Sequence, residues 1–152
     1  MACIDYDLKI FQVPVKDGYC RQDYCNRLSS RFLVGNAGIV MYETTGDEVF
    51  ENVPDTGDEQ YAAGDTWLQY WEDVSNRKWS GKCRRIGCAC GGQDDAVGGH
   101  VWFRDGVQDP FHMWIAPICQ HTNAQGEDPT FRLKPGTLIV RVDLRYVEKK
   151  QQ

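Results

Sequence analysis

No stretch of this chain approaches the ~20 consecutive apolar residues of a membrane-crossing helix, so no helical membrane span is expected. The N-terminus, Met1-Ala2-Cys3-Ile4-Asp5-Tyr6-Asp7, lacks the basic start and apolar core of a secretory signal. A cytoplasmic or nuclear location is therefore expected, although a mature secreted chain would look the same. The sequence also lacks G-x-S-x-G, a P-loop and the dinucleotide pattern G-x-G-x-x-G. Those absences argue against a nucleophile-elbow hydrolase, a Walker-type nucleotidase and a Rossmann dehydrogenase. The pairs Gly91-Gly92 and Gly98-Gly99 read as turn and close-packing glycines, not phosphate cradles.

What the chain does have is enough apolar material to fold. It has 152 residues, 41% hydrophobic and 12% aromatic, which suits one domain with a real core. It also has seven cysteines, and an odd count argues against a fully paired disulfide framework. In a reducing compartment clustered cysteines point to metal binding or catalysis.

The net charge of -5 argues against binding to a polyanion over the whole surface. The charge is uneven, however. Residues 1–64 carry 5 basic and 11 acidic side chains, and residues 65–152 carry 12 and 11. The one dense basic tract is Arg77, Lys78, Lys82, Arg84 and Arg85, directly against the first cysteine pair of the second half. It reads either as a solvated loop or as a nucleic-acid-binding patch that contacts phosphate.

The expected fold class is α+β: a mostly antiparallel sheet, one amphipathic helix and a treble-clef-like zinc unit. Residues 1–64 read as a β-rich segment and 65–147 as the zinc-binding segment, together one compact domain, with 148–152 a polar tail. Leu8–Val15, Arg31–Val34 and Ile39–Tyr42 read as strands, the last two flanking the hairpin signal Gly35-Asn36-Ala37-Gly38. The acidic stretch Thr44–Gly64 reads as a long loop. Asp65–Asn76 is the clearest helix, with Trp67, Leu68, Trp71 and Val74 on one face and Thr66 and Gln69 in a capping box. Gly99–Phe103 and His112–Ile118 read as strands around a turn. In the last strand Leu138, Val140, Val142, Leu144 and Tyr146 share one face.

The chemistry concentrates between Cys83 and Asn123. Zinc takes thiolate and imidazole ligands in a tetrahedral shell, usually as two ligand pairs separated in sequence. Cys83 and Cys88, in a loop loosened by Gly81 and Gly87, form one pair. His100, Cys119 and His121 are candidates for the other, with Cys90 as a spare. The segments Gly18–Cys25 and Gly81–Cys88 share the pattern G-x-C-R-x-x-x-C, which raises Cys20 and Cys25 as a further metal-facing pair. His100 itself reads as a zinc ligand, a general base or a core residue, and the spacing leaves all three open.

The run Trp67-Leu68-Gln69-Tyr70-Trp71, then Gly81-Lys82-Cys83 and Cys88, then Val97-Gly98-Gly99-His100-Val101, then Trp114-Ile115-Ala116-Pro117-Ile118-Cys119 and Asn123, resembles a family of small, mostly uncharacterised phage, bacterial and fungal proteins. The same order is similar to a degenerate HNH, or treble-clef, nuclease core. The resemblance covers about residues 65–142. It implies a metal-dependent nucleic-acid hydrolase, with His100 the general base and Asn123 the residue that holds the catalytic metal or orients the histidine. It implies structural zinc on Cys83, Cys88 and Cys119, and magnesium or manganese if the protein is catalytic. Two positions depart from the pattern. Thr122 stands where the fourth cysteine falls, which brings His121 forward as replacement ligand. Gly99 stands where an acidic residue precedes the histidine.

Two further readings compete with the hydrolase. One is a non-catalytic, zinc-stabilised binding module for protein, or for carbohydrate through exposed Trp79, Trp102 or Trp114. The other is a disulfide-stapled extracellular protein. Cys90 as a nucleophile has only Arg84 and Arg85 as activators and no local base.

Overall fold

The computed structural model describes residues 31–53, 66–79, 82–88, 96–106, 108, 111–119 and 130–143. The expected strand at Leu8–Val15, the Cys20/Cys25 pair, Cys90, His121, Asn123 and the tail lie outside the described residues.

Seven strands form one sheet: β1 (Phe32–Val34), β2 (Val40–Glu43), β3 (Phe50–Asn52), β4 (Ala96–Phe103), β5 (His112–Cys119), β6 (Thr130–Phe131) and β7 (Leu138–Asp143). Their order is β1-β2-β7-β5-β4-β3-β6, and every neighbouring pair is antiparallel. Strands from before and after residue 64 therefore share one sheet. One helix, α1 (Trp67–Ser75), packs across β4, β5 and β7. This is the expected α+β architecture.

Strand β5 sits at the centre, and all seven residues from Met113 to Cys119 are buried. A run with no polar alternation is what a strand covered on both faces requires. Side chains alternate across a strand, so the two faces carry different cores. On the helix face Met113, Ile115, Leu138, Val140 and Val142 meet Trp67, Tyr70, Trp71 and Val74. On the opposite face Tyr42, Phe50, Val101, Phe103, Trp114, Ile118, Phe131 and Ile139 pack together with Cys83 and Cys119.

The helix begins where the capping signal puts it. The Thr66 hydroxyl accepts the Gln69 backbone N–H at 3.1 Å, satisfying one free donor of the first turn. The buried stripe is Trp67, Tyr70, Trp71 and Val74; Tyr70 takes the core place expected of Leu68, which is only half-buried. Both polar aromatics clamp the helix to β7. The Trp71 indole N–H donates to the Leu138 carbonyl at 2.8 Å, and the Tyr70 hydroxyl to the Arg141 carbonyl at 2.9 Å. Gly98 on β4 makes the close approach possible, since a Cβ there would lie 2.4 Å from the Trp67 backbone carbonyl carbon.

The β1–β2 hairpin closes over Asn36–Gly38, with Ala37 and Gly38 at positive φ. The stretch expected as a loop from Thr44 is not all loop. Phe50–Asn52 is strand β3, paired with both β4 and β6. Three residues are too few to show period-2 alternation, but the fully buried Phe50 anchors them between Phe103 and Phe131. The Glu48 carboxylate orders the turn before it by accepting from the Thr45 amide, the Thr45 hydroxyl and the Tyr42 hydroxyl. No helix among the described residues is long and apolar enough to cross a membrane.

Candidate metal centre

The segment 82–88 is a loop in sequence, yet it is held firmly by main-chain bonds. The Arg84 amide donates to the Pro117 carbonyl at 3.1 Å. Lys134 N–H donates to the Arg84 carbonyl, and Ile86 N–H to the Arg132 carbonyl, each at 2.8 Å. Arg85 and Leu133 form an antiparallel bridge. These bonds tie the loop to the last turn of β5 on one side and to the run into β7 on the other. Cys83 and Cys88 thereby arrive beside Cys119, the final residue of β5.

The three Sγ atoms all lie within 4.8 Å of one another, and those of Cys88 and Cys119 are 3.5 Å apart. None of the three is in a disulfide. A tetrahedral site with zinc–sulfur bonds near 2.3 Å has sulfur–sulfur edges of about 3.8 Å, so the three thiols stand close to three corners of such a shell. Among the described residues this is the group of three metal-ligating side chains that the fold assembles.

Cys83 and Cys119 are buried and Cys88 is half-buried, so the centre has a closed floor and one open side. Burial pushes the Cys83 thiol up to about 12, against the smaller opposing effect of the Arg85 and Cys119 amides that donate to its sulfur. The Arg85 N–H to Cys83 Sγ contact is 3.5 Å. A buried thiol of this kind is unreactive alone but becomes a thiolate when a cation replaces its proton. Amides aimed at the sulfur then stabilise the anion.

His100 lies elsewhere. It sits on β4 between Gly99 and Val101, and Val101 packs into the core on the cysteine face. Its imidazole points to the other face, 4.6 Å edge-to-face from the Trp67 ring. The register pairs Cys119 with Ala96, four residues away from His100. His100 is 6% exposed, and its Nε2 has no hydrogen-bond partner among the described residues. Burial lowers its pKa to about 4, so it is neutral at pH 7. His100 is thus not gathered with the three thiols.

The basic tract divides. Arg77, Lys78 and Arg84 border one hollow beside Trp71 and Trp79. Lys82 is exposed. Arg85 turns away, its guanidinium 5.9 Å from the Phe131 ring centre. Of the tryptophans offered as exposed contact residues, Trp114 is buried to 1% in the core and Trp79 and Trp102 are half-buried. Their spacing in sequence gave no sign of this, because strand β5 is covered on both faces. The main-chain pinning by Arg132–Lys134, fifty residues beyond the cysteine loop, likewise left no local signal. Compared with protein-family models, curated proteins and solved structures, the chain matches none.

Proposed function

We propose that this protein is a zinc-stabilised binding module, in which Cys83, Cys88, Cys119 and His121 hold one structural zinc ion. The observation that carries this reading is the convergence of three thiols to within 4.8 Å. A thiolate-rich set favours zinc over magnesium, calcium or manganese, which take oxygen donors. With His100 on the opposite face of the sheet, His121 is preferred to the spare Cys90 as fourth ligand, because it stands beside Thr122, where the resembled pattern has its fourth cysteine. Four protein ligands close the shell, as in structural zinc sites, and leave no position for a reacting water.

The hydrolase reading assigns catalysis to His100 and Asn123. It has less support. A general base works best with a pKa near the working pH and must reach its proton. His100 is packed under Trp67 with its basicity depressed, and Gly99 supplies no carboxylate beside it.

Metal analysis with thiol counting on the purified, reduced protein tests the proposal. One zinc per chain is expected, with Cys83, Cys88 and Cys119 shielded from alkylation until a chelator is added. Cys119→Ser and His121→Ala are expected to lose zinc. Metal-free protein with all three thiols freely alkylated, or a Cys88–Cys119 disulfide by mass spectrometry, would overturn it. Plasmid or RNA cleavage with magnesium or manganese, present in the wild type and lost in His100→Ala, would restore the hydrolase.

A further inference from the structure

A hollow of about 300 Å³ opens where the end of α1 meets the start of β7, and Trp71, Arg77, Lys78, Trp79, Arg84 and Thr137 line it together with Gly136 and Leu138. It brings together three cations from two separate parts of the chain, and no carboxylate of the described residues lines it. In a chain of net charge -5 such a concentration of positive charge is local and built, not a general property of the surface.

The three cations differ in how they are held. Arg84 is fixed: its Nε donates to the Thr137 hydroxyl at 2.9 Å and its Nη2 to the Pro135 carbonyl at 3.2 Å. Both acceptors are neutral, so among the described residues nothing compensates the guanidinium charge and three of its five N–H donors are to spare. Arg77 and Lys78 are exposed and make no ion pair with any described residue. Placed after the C-terminus of α1, they complement the helix dipole. That role does not require Arg84, which arrives from the cysteine loop, to share their hollow.

The wall is aromatic and rigid. Trp71 is fixed by its bond to Leu138, and Trp79 meets it edge-to-face at 5.4 Å. The Glu72 carboxylate accepts the Trp79 backbone N–H at 2.8 Å, which holds the turn against the helix. The Trp79 indole N–H is buried without a hydrogen-bond partner among the described residues.

We infer that this hollow is a binding site for a small phosphomonoester, with the phosphate on Arg84, Arg77 and Lys78 and the organic part against Trp79. A fixed guanidinium with spare donors suits the geometry of phosphate oxygens. Two movable cations neutralise its second charge. The volume lies at the lower end of small-molecule sites. Since Arg85 faces Phe131 instead, the cations converge on one hollow and do not form a strip along which a nucleic-acid backbone could run.

Calorimetry on the zinc-loaded full chain tests this, with inorganic phosphate, ribose 5-phosphate, adenosine monophosphate, adenosine and a single-stranded oligonucleotide as probes. Saturable one-to-one binding of a phosphomonoester is expected, with adenosine inert. Binding of inorganic phosphate with no binding of ribose 5-phosphate or adenosine monophosphate would overturn the phosphomonoester site. Arg84→Gln and the double variant Arg77→Gln/Lys78→Gln are each expected to weaken binding about tenfold or more. Arg85→Gln is expected to leave it unchanged. The double variant changes only exposed side chains, so its result stands if Arg84→Gln disturbs the fold. No saturable binding of any phosphate probe, or equal affinity in the double variant, would overturn the inference. So would oligonucleotide binding that Lys82→Gln and Arg85→Gln weaken as much as the double variant does, because that pattern marks an extended nucleic-acid surface.

Discussion

The two faces of the sheet are closed by different chemistry. The helix face is closed by carbon and by hydrogen bonds already made: Trp67, Tyr70, Trp71 and Val74 fill it, and both polar aromatics donate to β7 carbonyls. The opposite face is aromatic through Tyr42, Phe50, Phe103, Trp114 and Phe131, but three thiols stand at its margin. The thiols are held there by weak contacts, Cys88 to Cys119 at 3.5 Å and the Arg85 N–H to Cys83 at 3.5 Å, and the loop that carries two of them has few apolar side chains of its own. One face is packed by carbon with no metal-ligating cluster among its described residues. The other carries three thiols that could hold a cation, and under the proposed function metal and stability are coupled on that side alone.

The largest expected effect follows directly. Chelation, or Cys119→Ser, is expected to destabilise the zinc-loaded protein by about 4 kcal/mol or more, roughly 10 °C or more in melting temperature. Hydrogen exchange is expected to rise first at residues 82–88 and 130–134, with the amides of α1 the last to respond. Equal loosening of both faces would break the comparison.

The helix face has its own weak point, which responds to protons. His100 has a pKa near 6.5 when unfolded and about 4 when folded, because burial penalises its charge. Between those values the unfolded chain binds more protons, so stability falls as pH drops from 6.5 toward 4 and is unaffected above. The total is on the order of 3 kcal/mol. Urea midpoints of wild type and His100→Leu are compared from pH 7 to 5, and the wild-type midpoint is expected to fall relative to that of the variant as pH drops. Any metal ligation is common to both proteins, so its own acid sensitivity cancels in the comparison. Parallel curves would place His100 in contact with solvent or with a partner.

Legibility in the sequence followed the same division. The helix face was readable because its information is local: the Thr66 cap, the tryptophans at helical spacing and the Leu138-Val140-Val142 alternation all speak within a few residues. The hairpin at Gly35–Gly38 was readable for the same reason. The cysteine face was readable only in part. Spacing paired Cys83 with Cys88 and left Cys119 a candidate beside His100 and His121, yet could not say on which side of β4 His100 points, because a histidine flanked by glycine and valine has no alternation to declare its face. Strand β3 was hidden by the acidic residues around it. The order β2-β7-β5 was out of reach, since each of those contacts joins segments far apart in sequence.

A smaller effect sharpens the contrast by adding volume where carbon already fills the space. Gly98→Ala would place a Cβ 2.4 Å from the Trp67 carbonyl carbon and 2.5 Å from the Leu68 nitrogen. Both obstacles are backbone and neither can rotate away, so α1 must lift from β4. A loss of about 2 kcal/mol is expected, with zinc content unchanged. Loss of zinc on this substitution would mean that the two faces fold as one unit.

The mildest test removes one hydrogen bond and nothing else. In Thr66→Ala the Gln69 N–H loses its acceptor, although water can replace it because the cap is exposed. An N-cap substitution of this kind costs about 1 kcal/mol. The loss should appear in the urea midpoint with an unchanged slope, since the same surface is exposed on unfolding. It should also be as large in zinc-free as in zinc-loaded protein if the latter still unfolds in one step. A cap whose worth depended on zinc would tie the helix to the cysteine loop through the sheet. Central strand β5, which touches α1 at Met113 and Ile115 and ends at Cys119, is the element through which that coupling would have to run.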